Sequence, residues 1–174
     1  MRMINIVMAT SLFLAGAAVA AGGPTDAQIA AIVVTANQVD IDAGKLAASK
    51  SHTADVKAFA KRMITDHTGV NKSAVDLVTK LKVTPEDNAT SQSLKAGGEQ
   101  NLANLKGLKG AAFDKAYVDH EVAYHEQVLD ALDKVLIPNA QNAELKALLV
   151  QVRPAFVDHL AHAKTIQASL AGKS

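Results

Sequence analysis

The chain has no cysteine and no tryptophan, and only two tyrosines and four phenylalanines in 174 residues. Without cysteine there is no disulfide framework, zinc ribbon, iron–sulfur site, thiol nucleophile or lipidated N-terminal cysteine. An aromatic content of 3% removes the stacking platforms that hold bases and sugars. Excess charge of one sign is missing too: 18 Lys+Arg stand against 17 Asp+Glu. A nucleic-acid binder needs a basic stripe, so that class is excluded and no nucleic-acid partner is expected. There is no G-x-S-x-G elbow, and Gly97-Gly98 lacks the Lys and Ser/Thr of a phosphate loop. Enzymatic readings therefore rank last. The length suits one domain with a real core.

Residues 1–20, MRMINIVMATSLFLAGAAVA, carry Arg2 as their only charge, then a short apolar run. Ala18-Val19-Ala20 supplies a small-residue cleavage site. This is the pattern of a secretory signal peptide. The apolar run is short for a membrane span and is broken by Thr10, Ser11 and Gly16. The expected organisation is a leader over 1–20 and one domain over 21–174. No transmembrane segment is expected in the mature chain, which is read as soluble, exported, and periplasmic or in the cell envelope. Assembly into a homo-oligomer and the identity of any partner are left open.

The mature chain reads as helices only, because no run alternates with period two. Thr25 with Gln28 forms a capping-box pattern that starts a helix at about 25. A second helix runs from about Thr53 to Lys82. Thr84-Pro85 reads as the start of a weak, short crossover helix interrupted by Gly97-Gly98. A fourth helix spans about 111–136, and Pro138-Asn139 is expected to open the last. Pro154 inside that helix removes one backbone donor and predicts a bend near Val150. The four long segments carry apolar residues at steps of four and three, a stripe that buries itself in a four-helix bundle. Their stripes are rich in Ala, Val and Leu, and Gly44 offers a close approach.

Asp40, His67, His125 and His159 stand where the spacing puts core residues, one on each long helix. Glu121 lies one turn before His125 on the same face. Several buried polar groups must satisfy one another. One solution is a single transition-metal ion, zinc, copper or iron, held by imidazole and carboxylate; the other is a polar layer that fixes helix register without a metal. At 1.5 Å per residue from the turn near His52, Asp40 lies ~18 Å and His67 ~22 Å along their helices, which puts them within one layer. Counted from Pro138, His125 lies ~20 Å, Glu121 ~26 Å and His159 ~32 Å along, which puts His125 and His159 about two turns apart. His52 reads as exposed, and His120 and His162 as flanking positions. Asp114 points with Glu121, but at a helix start, where an acid suits the dipole.

The stretches Val39-Asp40-Ile41-Asp42-Ala43-Gly44-Lys45-Leu46-Ala47, Val56-Lys57-Ala58-Phe59-Ala60 and Met63-Ile64-Thr65-Asp66-His67 carry a resemblance. With Phe113-Asp114-Lys115-Ala116-Tyr117, His125, Pro154 and His159-Leu160, the chain resembles the exported bacterial family called domain of unknown function 4142. The resemblance implies a ferritin-like fold, with members often labelled as exported or outer-membrane proteins, and no established activity. Asp40 departs from it, since the family usually has Glu there. A di-iron carboxylate site needs two Glu and two Glu-x-x-His motifs. This chain is richer in imidazole than that, which favours a single ion over iron storage. Asp40, His67, Glu121, His125 and His159 are the candidate ligands, in periplasmic metal handling or stress protection.

Overall fold

The computed structural model describes residues 22–172; the expected leader over 1–20 lies outside the described residues. The described residues form five principal helices: α1 (Asp26–Lys50), α2 (Ala54–Leu81), α3 (Ala89–Gly107), α4 (Gly110–Ala131) and α5 (Ala143–Ala171). Among the described residues there is no strand, and no helix is long and apolar enough to cross a membrane. The expected all-α bundle is what the chain forms.

The first helix starts where its capping box predicts. The Thr25 hydroxyl accepts from the Gln28 amide, and the Gln28 side chain accepts from the Thr25 amide. A three-residue turn folds α2 back against α1. An added Cβ at Gly44 would stand 3.0 Å from the Ala60 carbonyl oxygen, so the close approach expected there is real. Thr53 begins α2, but its hydroxyl donates to Asp114 Oδ2 at 2.5 Å instead of capping its own helix. That bond helps account for the burial of Asp114.

Three boundaries differ from the sequence expectation. Helix α3 begins at Ala89, not at Thr84-Pro85, because the Asn88 side chain accepts from the amides of Thr90 and Ser91. The preceding loop is tied to α1 by the Glu86 amide on the Ala27 carbonyl. Gly97-Gly98 does not interrupt α3, which is one continuous helix of 19 residues. Gly98 instead lets α3 settle onto α1, where an added Cβ would lie 2.7 Å from Val39 Cγ2. Finally, Pro138 does not open the last helix. Helix α4 passes through a π-helical turn (Leu132–Leu136) into a final turn (Ile137–Asn139), and α5 starts at Ala143, capped by Asn142. Within α5 the helix runs unbroken past Pro154.

Helix α3 carries the chain from one end of the bundle to the other. Its N-terminal loop is bonded to the start of α1, while Lys50 at the end of α1 donates to the carbonyls of Leu105, Lys106 and Leu108 at its far end. In consequence α2 and α4 run the same way, each antiparallel to its hairpin partner, α1 and α5 respectively. Two apolar cores result. One contains Val56, Phe59, Met63, Tyr117 and Ile166; the other contains Ile29, Leu132, Leu136, Leu149 and Phe156. Along every long helix, the polar residues of the stripe fall between the two.

Candidate metal centre

Each of the four long helices delivers a polar side chain to this middle layer. Asp40 is 2% exposed, His67 2%, Glu121 0%, His125 1% and His159 0%. All five predicted residues are brought together, in two overlapping groups. A ligand atom from each of His67, His125 and His159 lies within 4.8 Å of the others, and the same holds for Asp40, Glu121 and His125.

The two-turn gap expected between His125 and His159 is absent, and the helix boundaries explain why. Counting from the observed ends, Asn139 for α4 and Ala143 for α5, places His125 about 21 Å and His159 about 24 Å along. Pro138 is the wrong origin for that count, and the mismatch arises there.

The hydrogen bonds assign each ring. His67 Nδ1 donates to Asn37 Oδ1 at 2.7 Å, and the Asn37 amide is oriented by its own bond to the Val33 carbonyl at 2.8 Å. His125 Nδ1 donates to the Glu121 backbone carbonyl at 2.9 Å. His159 Nε2 donates to Asp66 Oδ2 at 2.8 Å, and Arg62 holds the same oxygen at 3.2 Å. One nitrogen of each ring thus carries the proton, and the other keeps a lone pair. Those remaining nitrogens, His67 Nε2, His125 Nε2 and His159 Nδ1, have no hydrogen-bond partner. Asp40 Oδ1 and the two Glu121 carboxyl oxygens make no well-formed hydrogen bond either, although the Asp40 carboxyl and the Tyr117 hydroxyl act on Glu121 at close range. Leaving one buried polar group unsatisfied costs about 1–3 kcal/mol, so three such rings beside two buried carboxyls demand a reason.

The spacing supplies one. The three ring centres stand 5.7, 5.2 and 5.4 Å apart. Imidazole nitrogens bound at about 2.0–2.1 Å around one ion put ring centres roughly 5–5.5 Å apart. His67 Nε2 and Asp40 Oδ2 are 3.4 Å apart, about the edge of a tetrahedron with bonds of that length. The shorter carboxylate of Asp40 therefore reaches far enough. His125 belongs to both groups, and its Nδ1 is bonded to the Glu121 carbonyl.

Electrostatics agree with neutral imidazoles. Burial, helped by His125 and His159, pushes His67 down to about 2. His125 falls to about 4, mainly through burial; burial also lowers His159, against the pull of Asp66. Burial pushes Asp40 and Glu121 well above the ordinary carboxyl range, and for Glu121 the facing Asp40 charge adds to it. A bound cation would reverse the carboxyl shifts.

A pH dependence follows for the ion-free protein. Buried neutral histidines, His120 at about 4 included, contribute stability above about pH 6.5 that is lost as pH falls toward 4, because the unfolded chain takes up their protons first. The carboxyls act oppositely, contributing stability at low pH that is lost as pH rises from about 4 through their raised values. The unfolding free energy from urea denaturation is expected to peak near neutral pH and fall on both sides, by about 1.4 kcal/mol per pH unit for each net proton. A flat profile between pH 5 and 8 contradicts these protonation states.

Sequence reasoning missed Asn37 and Asp66, the partners that orient His67 and His159. Asn37 could have been found: it follows Val33 by one turn on the buried face of α1 and is 3% exposed. Asp66 carried no signal, since its side chain is 36% exposed and its partner lies on another helix. As expected, His52 is exposed. His162 packs edge-on against Phe59, and His120 is stacked on Tyr124; neither belongs to the cluster.

Fold and interior together define the class: an all-α bundle built around a buried imidazole–carboxylate layer. Within that class the chain belongs to the family described as domain of unknown function (DUF4142), whose match spans residues 13–166. No curated protein and no solved structure matches it.

Proposed function

We propose that this is an exported, ferritin-like bundle protein that binds one transition-metal ion at His67, His125 and His159 with Asp40 and Glu121, and that it serves metal handling or stress protection in the periplasm. What supports the reading is the convergence of three buried imidazoles, each offering a ligand atom within 4.8 Å of the others, each oriented through one ring nitrogen while the second has no hydrogen-bond partner. Rings held this way are what a metal site requires of its supporting shell. The donor set suits zinc, copper or iron singly. The long crossover through α3, which sets α2 and α4 parallel, is the connection found in ferritin-like bundles. Export rests on the leader pattern of residues 1–20.

The reading is one of binding, not of turnover. A register-fixing polar layer draws support from the contact of His67 with Asp40, yet that contact leaves the facing nitrogens of His125 and His159 unexplained.

Elemental analysis of protein purified without an affinity tag is expected to find up to one ion per chain. Titration with zinc to 1,000 times its dissociation constant adds about 4 kcal/mol of stability. At about 2–4 °C per kcal/mol for a chain of this size, Tm rises by about 8–16 °C. No stoichiometric ion, with no stabilisation by zinc, copper or iron, overturns the reading.

A further inference from the structure

A cavity of about 370 Å³ opens between α1, α3, α4 and α5 and ends at the centre. Its size is at the lower end for small-molecule sites. Asp40, His67 and Asn37 form the inner end, and the exposed Thr90 and Gln127 stand at the mouth. Between them the walls are apolar and mostly aliphatic, with Ile32, Val33, Leu132, Leu149 and Val152, joined by the rings of Tyr124 and Phe156. No Lys or Arg lines the cavity.

We infer that this cavity binds a straight-chain aliphatic carboxylate, its chain along the apolar walls and its head on the ion beside Asp40. The inference rests on the ion-binding reading above. The walls select an unbranched or lightly branched hydrocarbon body. The head must be an oxygen donor, because the inner end offers only the ion as a positive centre; it takes the place of the Glu121 carboxylate, so that three imidazoles, Asp40 and the head make a five-coordinate shell. Asp40 Oδ1 and His67 Nε2, both buried acceptors without a hydrogen-bond partner, mark where the ion faces the cavity. In the absence of the ion, an anionic head would meet a carboxyl and a neutral ring, so binding must depend on the metal.

The test is calorimetric titration of the zinc-loaded chain with carboxylates from acetate to dodecanoate. Affinity is expected to rise about fourfold per added methylene and to level off as the cavity fills. Decanoate should bind at least tenfold more weakly to the zinc-free chain, and decanol at least tenfold more weakly than decanoate. Ala131→Phe, which narrows the cavity away from the ion, should lose decanoate and keep its zinc titration. Zinc binding without decanoate binding overturns this inference alone. So does decanoate affinity that ignores zinc or is unchanged in Ala131→Phe. Failure of zinc to bind overturns the ion reading and this inference with it. The chain-length series needs no variant, so the test stands even where Ala131→Phe misfolds.

Discussion

His67→Ala is expected to weaken zinc binding by more than about 100-fold and to abolish the zinc-dependent rise in Tm, while helical content stays unchanged. Losing a supporting partner of a metal-bound histidine typically costs 10–100-fold in affinity; losing the ligand itself should cost more. His67 is the most exacting choice among the three rings. It belongs to the imidazole group, approaches Asp40 at 3.4 Å, and is held flat against Phe156 with ring centres 5.3 Å apart. Asn37→Ala keeps all three rings but frees the orientation of His67, so its loss should fall between wild type and His67→Ala. His162→Ala, a control against Phe59 outside the cluster, should leave the titration intact. Calorimetry of the three variants against the wild type checks the order. If His67→Ala binds zinc like the wild type, the centre is not where the lone pairs meet.

Much of this site was legible in the sequence, because burial of a polar residue on a regular stripe is a violation that periodicity exposes. Asp40, His67, His125 and His159 each break the pattern of their own helix, and Glu121 follows from its place one turn before His125. What could not be read was alignment between helices. That depends on where turns begin, and a proline at a helix end looks the same as one at a helix start: Pro138 closes α4 although it resembles an N-terminal residue. A side-chain cap such as Asn142 or Asn88 outweighs it, since two amides gain an acceptor there. Gly97-Gly98 misled for a related reason. Glycine lowers helix propensity locally, but the close packing of α3 on Val39 more than offsets it in the folded protein. Asp66 stayed hidden because a half-exposed acid next to an arginine has the appearance of ordinary surface.

Glu121→Gln should move metal binding and ion-free stability in opposite directions. Glu121 is fully buried, and burial together with Asp40 drives its carboxyl well above the ordinary range. At pH 8 the ion-free protein must therefore hold either a proton the unfolded chain would release or a charge buried beside Asp40. Both penalise folding. Glutamine has nearly the same shape, carries no charge, and can donate its amide to Asp40. Replacing buried ionic groups with hydrophobic residues of similar volume is often neutral or stabilising by about 1–4 kcal/mol, and removing the charge alone recovers part of that. The ion-free variant is accordingly expected to gain about 1–3 kcal/mol at pH 8 in urea denaturation, and its zinc affinity to fall at least tenfold. The gain should shrink toward pH 5, where the wild-type carboxyl keeps its proton at less expense. A layer that exists to fix helix register makes the contrary prediction. Removing the acid would then loosen the bundle and leave zinc affinity untouched, because the group's whole purpose would be folding. A loss of ion-free stability beyond about 1 kcal/mol, with unchanged zinc binding, would establish that alternative: Glu121 would be there for the fold, and the convergence of nitrogens would need another cause.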